Sequence, residues 1–580
     1  MKVLIIGGVA GGATAAARLR RLDETAEIVV VERTGYVSYA NCGLPYYVGA
    51  TIKDRAKLTL QTPESFRSRF NVDVRVRQEA VAIDRAAKTV TIRRLEDGSE
   101  YAEPYDKLIL SPGAKATVPD LPGLDSNRLF TLRTVEDTFA IADFIERENP
   151  RTATVVGAGF IGLEMAENLT ERGIKVTVLQ RGGHAMPTLD GDMAALVHNA
   201  LREHGVTLML GAGVTGFEER EGGMMRTLLK DAAPVNSDMV LLSVGVTPES
   251  DLARDAGLDL GLRGAIKVDE HMRTSDPDTY AVGDAVQVKN FATGDAARIA
   301  LACPANKQGR SAADNICGIP RVFKGSQGSS VMKLFDRTVA STGLTCKAAE
   351  AAGLDFDYVL LAPASHATYY PGSSSMTLKV VFERPSGRIL GAQAVGREGV
   401  EKRIDVIATA MRARMTASDL TELDLCYAPP YSSAKDPVNM AGYIIENILE
   451  NRVRQVTWDD VMELPGFAEE PREKGEDNAV EPPLILLDCR TAGEFARGHI
   501  EGALHIPLDE LRDRLDVLPR DCEIWVHCQS GLRSYVACRI LAQHGFSCAN
   551  VAGGYGFYEQ TALDRCVRTE GVGPCGMAAE

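Results

Sequence analysis

With 580 residues the chain holds about four domains at about 150 residues each, so a single small module is excluded. A net charge of −15 and a pI near 5.3 argue against a general nucleic-acid or anionic-membrane binder, and no apolar run approaches the about 18 residues of a membrane span. The twelve cysteines are uneven, five in residues 1–488 and seven in 489–580, and no CxxC pair occurs. That usage fits reduced cytoplasmic thiols rather than a disulfide scaffold, a zinc ribbon or a dithiol motif.

The opening MKVLIIGGVAGGATAAA reads as strand, turn and helix rather than a secretory leader, because glycines interrupt its apolar centre. Lys2–Ile6 forms a buried strand. Gly7, Gly8, Gly11 and Gly12 form the turn, and a helix runs to about Leu22. The next strand, from Glu27, ends in Glu32, placed to accept hydrogen bonds from ribose hydroxyls. Glycines let the backbone approach a pyrophosphate at a helix N-terminus, so this is a βαβ dinucleotide site, with Val9 in place of the middle glycine.

Residues 154–164, TVVGAGFIGLE, repeat the pattern with Gly157, Gly159 and Gly162 in full G-x-G-x-x-G register. A helix is expected over Leu163–Arg172 and a strand over Lys175–Leu179. Two such units imply two nucleotides. TYAVGDAV is a short strand ending in Gly-Asp, with Asp284 placed against a polyol chain. LILSPGA (108–114) and VLLSVGVTPES (240–250) read as the returns between two nucleotide domains. This order resembles the two-dinucleotide-domain flavoprotein disulfide reductases over about residues 1–447. The resemblance implies an α/β fold with two Rossmann-like domains, FAD in the first site and NAD(P)H in the second. It also implies an α+β interface domain that makes a homodimer. In the second site Gln180 and Arg181 stand where an acidic residue would meet the adenosine ribose. Without that carboxylate a 2′-phosphate is not repelled, and an arginine can pair with it, so NADPH is expected alongside NADH.

The segment Ser38-Tyr-Ala-Asn-Cys42 has no nearby second cysteine; the next in the chain is Cys303. It resembles the Ser-x-x-x-Cys motif of the coenzyme A-disulfide reductases. That resemblance implies a single-cysteine nucleophile acting on a CoA disulfide or CoA persulfide, a role that suits a thiolate. Thr14, Arg18 and Arg21 share one face of the first helix. By the same resemblance that face holds the CoA phosphates, Ser38 and Asn41 lie near the pantetheine end, and Lys435 is a CoA contact from the interface domain. Tyr369 and Tyr427 match two tyrosines that approach the cysteine from the partner subunit, able to donate a proton or hydrogen-bond while uncharged.

Residues 466–483, rich in Glu, Pro and Lys, read as a solvated linker. After it, the strand Glu523–His527 runs into Cys528-x-x-Gly-x-Arg533, a loop whose backbone N–H groups converge on one sulfur, with Arg533 adding positive charge and a helix starting behind it. Upstream, LLDCRTAGEFARGHIEGALHIP carries Asp488, Arg490, Glu494, His499 and Pro507. Together these resemble an α/β rhodanese domain with a sulfur-sized loop. Gln529 stands where many rhodaneses have arginine, which favours polysulfide or a carried sulfane sulfur over thiosulfate. Cys489, Cys522, Cys538 and Cys548 read as small core residues, Cys566 and Cys575 as adventitious thiols, and the histidines lack metal-ligand spacing.

The expected division is 1–113 and 243–325 for FAD, 114–242 for NAD(P), 326–447 for the interface, 448–483 for the linker and 484–580 for the rhodanese domain. The expected activity is NAD(P)H-driven reduction of CoA persulfide, CoA disulfide or polysulfide. The sulfane sulfur comes from Cys528, in the cytoplasm, without nucleic acid or membrane partners. Two rivals stay open: an NADH oxidase cycling Cys42 through a sulfenate, and a non-redox sulfur carrier.

Overall fold

The computed structural model describes residues 1–463 and 484–569, side chains of 566–569 excepted. The expected linker over 466–483 and Cys575 lie outside the described residues, as does the side chain of Cys566. The chain divides into two compact units, residues 1–186 with 204–328, and residues 187–203 with the remainder from 329.

The first unit contains two parallel five-stranded sheets. In one the order is 279–281, 107–110, 2–6, 27–32, 73–76. In the other it is 207–210, 175–180, 152–156, 239–242, 129–131. The central strands are short runs of Val, Ile and Leu buried on both faces, the signature of parallel strands. The helices Ala10–Leu22 and Phe160–Glu171 follow the first strands of their βαβ units. The second begins three residues earlier than the sequence predicted, because Gly159 itself caps it. Residues Ala114–Ala116 and Val246–Pro248 pair antiparallel, so the two glycine-stopped segments are indeed the paired crossings between the nucleotide domains.

In the second unit an antiparallel sheet runs in the order 330–334, 337–343, 389–396, 376–383, 356–361, next to the helices Val400–Arg412 and Pro437–Leu449. A parallel sheet follows, 454–456, 547–551, 523–527, 484–488, 504–505. Two expectations change here. The linker was to begin at 448, but Arg454–Val456 pairs with Ala549–Val551 as an edge strand and Trp458–Met462 is helical. Three residues are too short to show an alternation in sequence. The helix Gly191–Glu203, placed by sequence within the NAD(P) domain, belongs to the second unit. It is buried almost all round, and Asn199 Nδ2 donates to the Gln560 carbonyl at 2.9 Å while His198 Nδ1 meets Asp564 at 3.0 Å. Among the described residues no helix is long and apolar enough to cross a membrane.

Candidate functional site

At the first glycine turn, a Cβ on Gly7 would lie 2.1 Å from the Ser111 carbonyl oxygen, and one on Gly12 would lie 1.9 Å from that of Gly7. Gly7 also adopts φ +94°. Only glycine fits either position. The helix that starts here has no side-chain cap, so its first N–H groups stay available to a pyrophosphate. Buried Glu32 accepts from the Gly8 N–H at 2.9 Å and from the Thr34 N–H at 2.9 Å, which holds its carboxylate at the turn. Asp284 sits on the turn Gly283–Ala285, 3.3 Å from Arg133. Burial raises its pKa against the opposing pull of that guanidinium. The Gly283 N–H donates to Gln308 at 2.7 Å. Arg133 and Gln308 carry no sequence motif, and only the fold brings them here. These residues fit FAD.

The second turn repeats the design. A Cβ on Gly157 would approach the Ser243 carbonyl oxygen to 2.4 Å and one on Gly162 the Gly157 oxygen to 1.9 Å, whereas one on Gly159 would meet only open space, where a pyrophosphate can approach. Gln180 accepts from the Ala158 N–H at 3.2 Å and donates to the His184 carbonyl at 3.2 Å. Arg181 is exposed and has no ion-pair partner among the described residues. The residues fit NAD(P)H. Arg181→Ala is expected to lower kcat/KM for NADPH about tenfold while leaving that for NADH nearly unchanged, a split read by steady-state kinetics with each nucleotide.

Cys42 lies on the short turn Asn41–Gly43 and is exposed. Ser38, at φ +47°, donates its N–H to the Gly8 carbonyl at 2.8 Å, which ties the cysteine segment to the first glycine turn. The expected thiolate preference is not what surrounds it. Desolvation by the surrounding protein raises the Cys42 pKa, the carboxylates of Glu164 and Asp284 raise it further, and Arg133 opposes them. Glu164 is a functional candidate that sequence reasoning missed, although it sits in the GFIGLE motif. Burial and Glu167 push it up to about 7, against a hydrogen bond to Tyr46, so it carries a proton to give or take near neutral pH.

The helix face proposed for phosphates is partly occupied. Arg18 Nε is paired at 2.6 Å with Asp314, which also takes Arg321, and the Thr14 hydroxyl bonds Asn306. Arg21 is exposed, with no ion-pair partner among the described residues. Thus Arg18 is a positioned cation and Arg21 the free one. In the second unit Tyr369 and Tyr427 are 74% and 48% exposed, and their hydroxyls hydrogen-bond at 2.8 Å. That bond raises the Tyr369 pKa. Lys435 is exposed on the same segment as Asp436, which buried Arg403 holds at 3.1 Å. A cleft of about 490 Å³ beside Tyr427 is lined by Ser365, Lys402, Arg403 and Tyr431.

The loop after Glu523–His527 closes on Cys528, which is fully buried. The Gly531 N–H donates to Cys528 Sγ at 3.1 Å, and the Ser534 hydroxyl lies at 3.4 Å. Cys489 is the small core residue that the sequence predicts, 1% exposed, and strand pairing also sets it beside Cys528. The neighbouring Cys489 thiol is the largest influence lowering the Cys528 pKa to about 5; it outweighs burial, and Ser534 and the Ser530 N–H assist. Cys489 correspondingly holds its own proton far above the usual thiol range. Arg533 makes two bonds of 2.7 Å to Glu494, which hold that carboxyl down at about 2 against its burial. Arg533 is therefore a fixed positive edge of the loop. Arg490 is buried on Asp488 at 2.7 Å, over the Tyr555 ring at 3.8 Å and 3.4 Å from Gln529, so a second guanidinium lines the loop where Gln529 replaces the expected arginine.

Three family models match the chain: the pyridine nucleotide-disulphide oxidoreductase domain over residues 1–309, its dimerisation domain over 329–437 and the rhodanese-like domain over 469–560. The coenzyme A disulfide reductase of Staphylococcus haemolyticus is 36% identical over 443 residues, 76% of this chain and 98% of that protein. The reduced CoADR-RHD of Bacillus anthracis is 48% identical with a TM-score of 0.92, covering 97% of this chain and 98% of that one. An NAD-dependent persulfide reductase from A. fulgidus is 39% identical with a TM-score of 0.88, covering 96% and 100%. The chain belongs to the pyridine nucleotide-disulphide oxidoreductase family, as a flavin-dependent enzyme of FAD and NAD(P)H that also carries a C-terminal rhodanese-like domain.

Proposed function

We propose that the protein is a cytoplasmic, homodimeric NAD(P)H-dependent reductase of CoA persulfide, CoA disulfide or polysulfide, fed with sulfane sulfur by its rhodanese domain. The observation that carries this reading is the pairing of two very different single nucleophiles. The segment that carries Cys42 is tied to the FAD glycine turn through Ser38 and has no second cysteine, and Cys528 is a buried thiol whose sulfur accepts the Gly531 N–H and whose pKa is lowered to about 5. FAD, which the Gly7–Gly12 turn, Glu32 and Asp284 would hold, would supply the electron pair of NAD(P)H for reduction of sulfur at Cys42. Cys528 takes sulfane sulfur as a persulfide and hands it to the CoA thiol. Cys42 attacks the CoA-side sulfur of CoA–S–SH, forming Cys42–S–S–CoA and releasing the outer sulfur as sulfide. Two electrons and a proton then return the Cys42 thiolate and CoA thiol. With CoA disulfide the leaving group is CoA thiolate instead. Glu164 stands near Cys42 to handle that proton, and Tyr369 and Tyr427 are assigned to it from the partner subunit. Replacing both tyrosines by phenylalanine is expected to slow turnover about tenfold or more without changing flavin reduction by NADH in a stopped-flow trace.

The central test is a Cys528→Ser variant. It should reduce supplied CoA persulfide at the parent rate and lose use of polysulfide. Oxidised enzyme treated with CoA should gain the mass of CoA on Cys42. If the variant keeps both activities, the relay is wrong. A water-forming NADH oxidase from Lactobacillus brevis is 30% identical with a TM-score of 0.74 over 78% of this chain. Oxygen consumption that outpaces sulfide release would therefore favour an oxidase reading.

A further inference from the structure

The relay uses one cysteine of the rhodanese domain, yet two meet at its centre. Strands Leu484–Asp488 and Glu523–His527 run parallel with Asp488 opposite His527. Cys489 and Cys528 are the next residues on each, and the Cys489 N–H donates to the His527 carbonyl at 3.0 Å. Neighbouring parallel strands lie about 4.8 Å apart, inside the Cα separation of about 4.4–6.8 Å that a disulfide spans. Both side chains are buried, at 1% and 0% exposure. The two are held at the high effective concentration of an intramolecular pair. Among the described thiols of the domain, Cys548 Sγ donates to the Cys538 carbonyl and Cys522 Sγ to the Pro519 carbonyl, each at 3.4 Å.

We propose that Cys489 is a resolving thiol: once Cys528 carries sulfane sulfur, Cys489 attacks Cys528 Sγ, closes a Cys489–Cys528 disulfide and expels the outer sulfur as sulfide. The inference rests on the rhodanese reading of Cys528. The balance is Cys489–SH + Cys528–S–S⁻ → Cys489–S–S–Cys528 + HS⁻. One S–S bond breaks and one forms. The outer sulfur is reduced, the two cysteines are oxidised, and the Cys489 proton leaves with the sulfide. The disulfide reopens with two molecules of a small thiol, RSH, giving two cysteines and RSSR. When that thiol is CoA, RSSR is CoA disulfide, the substrate class proposed for Cys42, and NAD(P)H closes the cycle. The protein then has two routes to sulfide, one at each nucleophile, and both draw on the same reductant.

The test uses the full-length holoenzyme in a Cys42→Ser background, which removes the other sulfide-releasing cysteine. It is pulsed with inorganic polysulfide at one equivalent of sulfane sulfur per chain and desalted, without NAD(P)H or free thiol. Non-reducing peptide mapping and a sulfide assay follow. The expected result is a Cys489–Cys528 cross-link with matching sulfide. In Cys489→Ser and Cys489→Val versions the sulfur should remain on Cys528, as a mass increment of one sulfur atom, with release at least about tenfold slower. Persistence of that sulfur in the Cys42→Ser parent for as long as in the Cys489 variants overturns the inference and leaves the relay standing. A cross-link between Cys538 and Cys548 in place of Cys489–Cys528 overturns it too. Neither sulfur nor a cross-link on Cys528 in any version overturns the rhodanese reading, and this inference with it.

Discussion

Replacing Cys42 by serine is expected to lower NAD(P)H-dependent reduction of CoA disulfide by about a thousandfold or more, while the flavin is still reduced by NAD(P)H. No second cysteine of the first unit shares its turn; the next in the chain is Cys303. Serine keeps the turn Asn41–Gly43 and the Ser38–Gly8 bond, so loss of turnover would report loss of the nucleophile rather than of the FAD cradle. Stopped-flow absorbance separates the two half-reactions: bleaching by NAD(P)H persists and reoxidation by disulfide disappears. Retention of disulfide turnover would move the nucleophile elsewhere. The electrostatics around Cys42 add a pH prediction. Ionised Glu164 raises the Cys42 pKa, so Glu164→Gln should shift the acid limb of the reoxidation rate to lower pH. It should also remove the inflection near pH 7 that belongs to Glu164 itself. If the profile does not move, Glu164 plays no part in the thiol step.

What the sequence disclosed about this site follows from how local each constraint is. Gly12 and Gly162, if given a Cβ, collide with the carbonyls of Gly7 and Gly157 within a single motif, so the glycines are visible as spacing. Cys528 is visible for the same reason, because its donors Gly531 and Ser534 follow it by three and six residues. Contacts made by strand pairing are not visible this way. Cys489 meets Cys528 only because residues 484–488 and 523–527 are neighbours in a sheet, and its spacing matches that of any buried strand residue. Arg18 looks like a free basic face until the fold delivers Asp314 from the helix Ala302–Ile316. Glu164 was hidden by its own motif, whose glycines explain the helix start and leave the carboxylate unremarked. The boundary errors share a cause. A strand of three residues and a helix buried on nearly all sides leave no periodic signal to assign them to a neighbour.

Arg490→Ala is expected to destabilise the rhodanese-containing unit by about 3–5 kcal/mol, because it strands a buried carboxylate. Asp488 is fully buried and Arg490 is 2% exposed. The guanidinium makes two bonds of 3.0 Å through Nε and one of 2.7 Å through Nη2 to Asp488. It also donates to the Gly498 carbonyl at 2.7 Å and lies over Tyr555. Asp488 in turn accepts the Arg490 backbone N–H at 2.9 Å, which shapes the chain immediately beside Cys489. Removing the arginine leaves a charge that cannot reach water and frees the strand end that carries Cys489 toward Cys528. Sulfur loading of Cys528 should therefore fall with stability, whereas reduction of the flavin by NADH should not. Arg490→Lys is expected to fail nearly as badly, since an ammonium cannot reproduce the planar fork that serves Asp488 and Gly498 together. The double variant Asp488→Ala/Arg490→Ala should be less destabilised than the sum of its single variants, because no unpaired charge remains. Denaturant unfolding of the parent, the three single variants and the double variant measures these stabilities. Strict additivity would show that Asp488 and Arg490 act independently, and that the pair does not hold the loop.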